Sequence, residues 1–116
     1  MELSKLIYPS GAKEDYLMEL LKHTEGDWKL QLGTAFLKKD TRTPFDSDYT
    51  RHEEVKIVCI LEGIVQMELE DKKKEKVILK SGDVFKVNKR EGHAGCILED
   101  TKLIYVMFKK EVFPER

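Results

Sequence analysis

The sequence predicts an all-β sandwich or barrel, and three observations predict it. Short runs of strand character follow one another from residue 28 onward, at residues 28–37, 52–61, 64–70, 76–79, 84–87, 95–98 and 103–109. Turn signals separate them, including Lys80-Ser81-Gly82-Asp83 and the loop 88–92. Several runs also alternate in the period-2 manner of a strand, as in 28–37, where Trp28, Leu30 and Leu32 share one side.

The elements follow in order. Ser10 is placed to cap a helix, with Glu14 and Asp15 in its first turn. Tyr16, Leu17, Leu20, Leu21 and Thr24 then recur at helical spacing, and Gly26 supplies a stop, so one short N-terminal helix is expected over about 11–24. His23 falls at its C-terminal end, where a cation suits the dipole. The barrel is expected over about 27–110. The polar stretch 38–48 is long for a loop in a small domain, and long loops are frequently functional. The block 71–76, rich in lysine, sits between two strand-like runs and reads as a solvated hairpin turn.

The 116 residues amount to one domain, 1–116, and the 41% apolar content suits a folded core. Basic and acidic residues number 21 and 22, a balance that argues against a nucleic-acid partner held by a general electrostatic footprint. Neither a membrane-spanning apolar run nor a signal peptide is visible, which makes a cytoplasmic location the expectation. Cys59 and Cys96 have no disulfide or zinc spacing and read as small buried hydrophobes. Charged residues reach 37%, mostly Lys and Glu, while Asn88, Gln31 and Gln66 are the only side-chain amides. That is a thermophile-like composition.

The strand 52–61 is the most informative. Lys56, Val58 and Ile60 lie on one face; Val55, Ile57, Cys59 and Leu61 lie on the other. Both faces are apolar beyond Lys56. One lines the barrel interior, and the other needs cover from the N-terminal segment or a second subunit, because antiparallel sheets normally keep a polar outer face. A homodimer packed sheet to sheet is therefore expected. On the approach to this strand, His52, Glu54 and Lys56 stand on one face, an imidazole, a carboxylate and an ammonium in a row.

Two segments carry a family resemblance. Residues 52–63, ending in Val58-Cys59-Ile60-Leu61-Glu62-Gly63, look like the strand and tight turn that close the first cupin motif. Residues 82–93, opening with Gly82-Asp83 and ending at His93, resemble the second motif. The chain thus resembles a small cupin, and the resemblance implies a double-stranded β-helix, or jelly-roll barrel. It also implies a divalent metal held by three histidines and a carboxylate. Two of those four positions, His52 and His93, keep ligand chemistry; the other two fall on Thr50 and Lys56. An ammonium has no lone pair and repels a dication.

Three readings follow. In the first, Lys56 replaces the metal's charge, and His52, Glu54, Lys56 and His93 bind a small polar, anionic or sugar-like molecule. In the second the chain is an enzyme. Either a local register shift lets Glu54 complete a metal site with His52 and His93, or the histidines act without metal as acid and base, as in cupin-like sugar isomerases and epimerases. In the third the barrel is inert and the dimer face is the working surface. Asp46, Asp48 and Tyr49 before the strand, and Lys89, Arg90 and Glu91 before His93, are further candidates for the barrel mouth.

Overall fold

A computed structural model describes residues 1–9, 17–43, 53–70 and 75–110. They form seven strands in one antiparallel sheet: β1 (Leu17–Glu25), β2 (Trp28–Leu37), β3 (Arg42–Thr43), β4 (Val55–Leu69), β5 (Glu75–Lys80), β6 (Val84–Val87) and β7 (His93–Lys110).

Two strands are long enough to serve two layers. The first half of β4 pairs with β6 and with the second half of β7, which in turn pairs with β2 and through it with β1. The second half of β4 pairs with β5 and with the first half of β7, which also holds β3. β4 makes this bend in a run of register shifts between Ile60 and Val65, with Gly63 at φ 106° in its middle. The expected tight turn at Gly63 is therefore a bulge inside one continuous strand. This is the all-β double-stranded β-helix that the sequence predicts.

The core fills the space between the layers. Ala35, Val58, Leu103 and Tyr105 form one buried cluster, and Ile60, Val65 and Ile97 another; Leu37 and Phe85 pack against both. Val58 and Ile60 belong to the core, so the face of β4 that carries Lys56 is the inner one. Ile57, on the opposite face, is 39% exposed.

The N-terminal helix is corrected. Residues 17–24 are strand, and residues 10–16, with Ser10 and Tyr16, lie outside the described residues. The β1–β2 register shifts between Glu19 and Leu21, and this irregularity puts two leucines side by side and breaks the alternation. The resulting spacing of Leu17, Leu20, Leu21 and Thr24 imitates a helix. Gly26, at φ 57°, ends no helix; with Asp27 it makes the two-residue loop of a hairpin that closes Glu25 against Trp28. His23 accordingly stands on a strand, 3.9 Å from Glu25.

Residues 1–9 have no regular structure and lie against the outer face of the sheet. The fully buried Thr34 donates its hydroxyl to the carbonyl of Ile7, and Lys102 Nζ stands 5.4 Å from the centre of the Tyr8 ring.

Candidate functional site

Antiparallel pairing puts directly opposed residues on the same face of a sheet. Tracing the pairs across β6, β4, β7, β2 and β1 lays out the inner face as rows. One row runs Val87, Lys56, Met107, Gln31, Lys22; the next runs Phe85, Val58, Tyr105, Gly33, Glu19. Lys56 thus lies beside the apolar core, one row nearer the open end than Tyr105.

The two rows interlock. Tyr105 is fully buried, and its hydroxyl crosses Gly33, where any side chain would collide with it and with the Met18 carbonyl. The Tyr105 oxygen accepts a 3.0 Å hydrogen bond from Gln31 Nε2. Burial raises the phenol's pKa and the Glu19 charge adds to the rise, while the Gln31 bond opposes it. Lys56 Nζ stands 5.2 Å from the centre of the Tyr105 ring, within reach of its negative face.

Lys56 is partly buried. Its pKa is lowered because burial penalises the ammonium, with the Glu54 carboxylate pulling the other way. Glu54 does not close an ion pair with it. The Glu54 Oε1 lies 3.9 Å from Lys109 Nζ instead.

His93 is 9% exposed, and its Nδ1 lies 3.2 Å from the carbonyl oxygen of Glu91. A carbonyl only accepts, so Nδ1 carries the proton and a neutral ring keeps its lone pair on Nε2. Burial lowers the His93 pKa, and the Lys56 charge lowers it further against the opposing pull of Glu91. The structure therefore couples His93, Lys56 and Glu54 electrostatically. His52, the fourth expected site residue, lies outside the described residues, as do Thr50, Asp46, Asp48 and Tyr49.

A pH dependence follows for His93. The unfolded ring titrates near its ordinary value of 6.5 and the folded ring below it, so the unfolded chain takes up the proton first. Stability is expected to fall as pH drops through 6.5, and to go on falling until the folded ring also protonates. Urea denaturation between about pH 5 and 7.5 should show this slope, and His93→Gln, which keeps a donor for the Glu91 carbonyl, should flatten it.

A cleft of about 320 Å³ lies where β1, β2 and β7 come beside Glu54, lined by Glu19, Gln31, Glu54 and Met107 and also by His23, Leu30 and Phe108 of the outer face. Lys22, Lys29 and Lys109 stand around its rim. These lining groups include the immediate neighbours of Lys56: its partner Met107, the Gln31 that holds Tyr105, and Glu54 two residues away. Sequence reasoning found Lys56 and Glu54 but missed Tyr105, Gln31 and the lysines of the rim. The period-2 series Leu103, Tyr105, Met107, Lys109 was the available signal, but it needed the strand register to reach Lys56.

Among the described residues no three His, Cys, Asp or Glu side chains come together, and His52, one of the ligands that the resemblance implies, lies outside them. Of the mouth candidates before His93, Arg90 donates from Nε to Glu53 at 3.2 Å and ties the β6–β7 loop to the start of β4. The cysteines are both free, but only Cys59 is partly buried; Cys96 is exposed, against expectation, because it faces away from the core between Gly95 and the buried Ile97. No helix among the described residues is long and apolar enough to cross a membrane.

No protein-family model matches the chain, and no curated protein matches it. Solved structures do. An RmlC-like cupin family protein with a double-stranded β-helix fold, from Methanocaldococcus jannaschii, superposes with a TM-score of 0.65 at 15% identity, over 95% of this chain and 90% of that one. KdgF from Halomonas sp. gives a TM-score of 0.60 at 20% identity, over 83% of this chain and 78% of that one. The EutQ protein of Clostridium difficile gives 0.56 at 19% identity; the match takes in 72% of this chain but 59% of EutQ, so this chain spans less than two thirds of that neighbour. At these identities the likeness is one of fold, and it agrees with the strand pairing: the chain is a small cupin-fold domain, a double-stranded β-helix.

Proposed function

We propose that this domain binds a small anionic molecule in the mouth of its barrel, with lysine charge in place of a metal. The observation that carries the reading is Lys56 itself, an ammonium on the inner face of a small barrel, beside a cleft with an excess of cations. Lys22, Lys29 and Lys109 line it against Glu19 and Glu54, three positive charges to two negative, and Lys56 pairs with its lining residue Met107. A partly desolvated ammonium attracts an anion more strongly than an exposed one does. Small carboxylates are the anions to try first in a cleft of about 320 Å³ lined by both lysines and apolar Leu30, Met107 and Phe108. Gln31, which lines the cleft and is held by its hydrogen bond to Tyr105, adds a polar group that would orient the rest of the ligand.

The test is a panel of small mono- and dicarboxylates, sugar acids and phosphate, read by thermal shift and then by calorimetry. Carboxylates are expected to raise the melting temperature, and neutral analogues of the same size are not. A panel in which no anion shifts the transition would overturn the reading.

A second copy of the chain is the proposed macromolecular partner, supported by the outer face. There one row, Leu21, Leu32, Val106, Ile57, is apolar across four strands, and the next, His23, Leu30, Phe108, Val55, is apolar beyond His23. Leu30 is 43% exposed and Val84 65%. Light scattering coupled to gel filtration is expected to give twice the chain mass of 13.6 kDa. Ile57→Asp, which puts a carboxylate in the middle of this face, should return the monomer without unfolding it. An unchanged mass in that variant would remove the face from the interface.

A further inference from the structure

We propose that residues 1–9 form a ridge by which two copies of this domain interlock, the ridge of each lying on the bare half of the other's outer face. The inference rests on the dimer reading above and goes beyond it by naming the segment that makes the contact and the place where it docks.

The first ground is the way the segment is turned. Polar groups hold it to the sheet. The buried Thr34 donates to the Ile7 carbonyl, Tyr8 sets its ring 5.4 Å from Lys102 Nζ, and Glu2 lines a groove with Leu21, Leu30 and Leu32. The apolar side chains of the segment face water instead: Leu3 is 83% exposed, Leu6 57% and Ile7 49%. A segment that served only to cover its own sheet would turn these side chains down onto it, because burial of apolar surface is the main favourable term open to it.

The second ground is shape. The contacts of the segment are with β1, with β2 and with Lys102 of β7. On the other side of the same face Ile57 of β4 and Val84 of β6 remain exposed. The face therefore has a raised half and a bare half, and both are apolar. A two-fold axis between them sets each ridge on the partner's bare half, the self-complementarity that an interface between identical copies requires.

Charge is the third ground. Around the ridge Glu2 and Glu62 stand against Lys5, Lys86 and Lys102, with Lys102 Nζ 4.0 Å from Glu62. Such a mixed border lets two copies approach without strong repulsion. It lacks the cluster of basic residues that draws an apolar segment to an anionic bilayer, so a second copy fits this surface better than a membrane.

The test is sedimentation velocity of the whole chain over a dilution series. The double variant Leu3→Ser, Leu6→Ser is expected to raise the dimer dissociation constant about tenfold or more, with an unchanged circular dichroism spectrum because both side chains are exposed in the single chain. Val84→Ser should raise it as well. Combining the three changes should cost less than the product of the separate effects, because the side chains meet across the two-fold axis. If Ile57→Asp dissociates the dimer and the double variant does not, the outer face remains the interface and the ridge is overturned. Effects that simply multiply would overturn the docking of the ridge on the bare half. A wild type that stays monomeric throughout would overturn the ridge and the dimer together, and its sedimentation with vesicles of neutral and anionic phospholipid would assign the segment to a membrane instead.

Discussion

Replacing Lys56 with methionine is expected to raise the stability of the domain and, at the same time, to abolish carboxylate binding. The two effects have one origin. Methionine keeps most of the volume of the side chain and removes the ammonium, together with its contact to the Tyr105 ring. That contact is worth about 0.5–1 kcal/mol. The desolvation it partly offsets is worth more, about 1–3 kcal/mol for a polar group without a full set of partners. A net gain of about 1 kcal/mol is expected, which for a domain of this size raises the melting temperature by about 4 °C. The sign can be checked against pH. The folded pKa of Lys56 lies below its ordinary value of 10.5, so the unfolded chain binds this proton more tightly than the folded one. The resulting penalty is complete below the folded pKa and gone above 10.5. The advantage of Lys56→Met should therefore be largest at neutral pH and shrink as pH rises toward 10.5. A variant that melts lower than the wild type at neutral pH would mean that the ammonium is satisfied in the folded state, and the site would have to be reconsidered as structural. Binding read on the same samples separates function from stability, since a more stable barrel that no longer takes carboxylates has lost only the site.

The pattern that made this prediction accessible was in the sequence in part. The period-2 alternation of β2 and β6 stands in the chain undisturbed, and both strands occur as read. Beyond Lys56 both faces of β4 are apolar, so alternation alone did not choose between them; the structure places Val58 and Ile60 in the core. Where a strand carries a bulge, the period breaks and the reading breaks with it. Leu20 next to Leu21 turned β1 into an apparent helix, and Gly63 divided β4 into two expected strands. The site was half legible for a related reason. His52, Glu54 and Lys56 are neighbours along one strand, so local spacing is enough to group them. Tyr105 and Gln31 reach Lys56 only through pairing across β4, β7 and β2, over separations of 49 and 25 residues. No local rule connects positions that far apart. The hairpin loop Gly26-Asp27 was the overlooked local clue: two residues of that type between strand-like runs mark a tight hairpin, and they would have fixed β1 as a strand.

Gly63→Ala is expected to damage the barrel severely, and the reason joins the fold to the site. At φ 106° a β-carbon is strained regardless of space, which alone costs about 1–2 kcal/mol. Space is also lacking. A β-carbon there would come 2.6 Å from the Asp100 carbonyl oxygen and 2.6 Å from the Thr101 Cα, both backbone atoms of β7 that cannot rotate away. Thr101 is itself fully buried, its hydroxyl donating to the Glu99 carbonyl at 2.8 Å, so β7 has little freedom to retreat. The total loss is expected to be about 3 kcal/mol or more, read as a lower denaturant midpoint with an unchanged slope. Gly82→Ala supplies the control. Its φ of 91° carries a similar strain, but nothing lies within 4 Å of the added carbon, so it should lose about 1–2 kcal/mol and no more. The difference between the two variants isolates the close approach of β4 to β7 at the bend. That approach is what lets one strand continue from the layer that holds Lys56 to the layer in which Leu69 pairs with His93. Equal losses in the two variants would mean that β7 yields at Thr101. The bend would then not fix the distance between the two layers, nor the electrostatic coupling of His93 to Lys56 that depends on it.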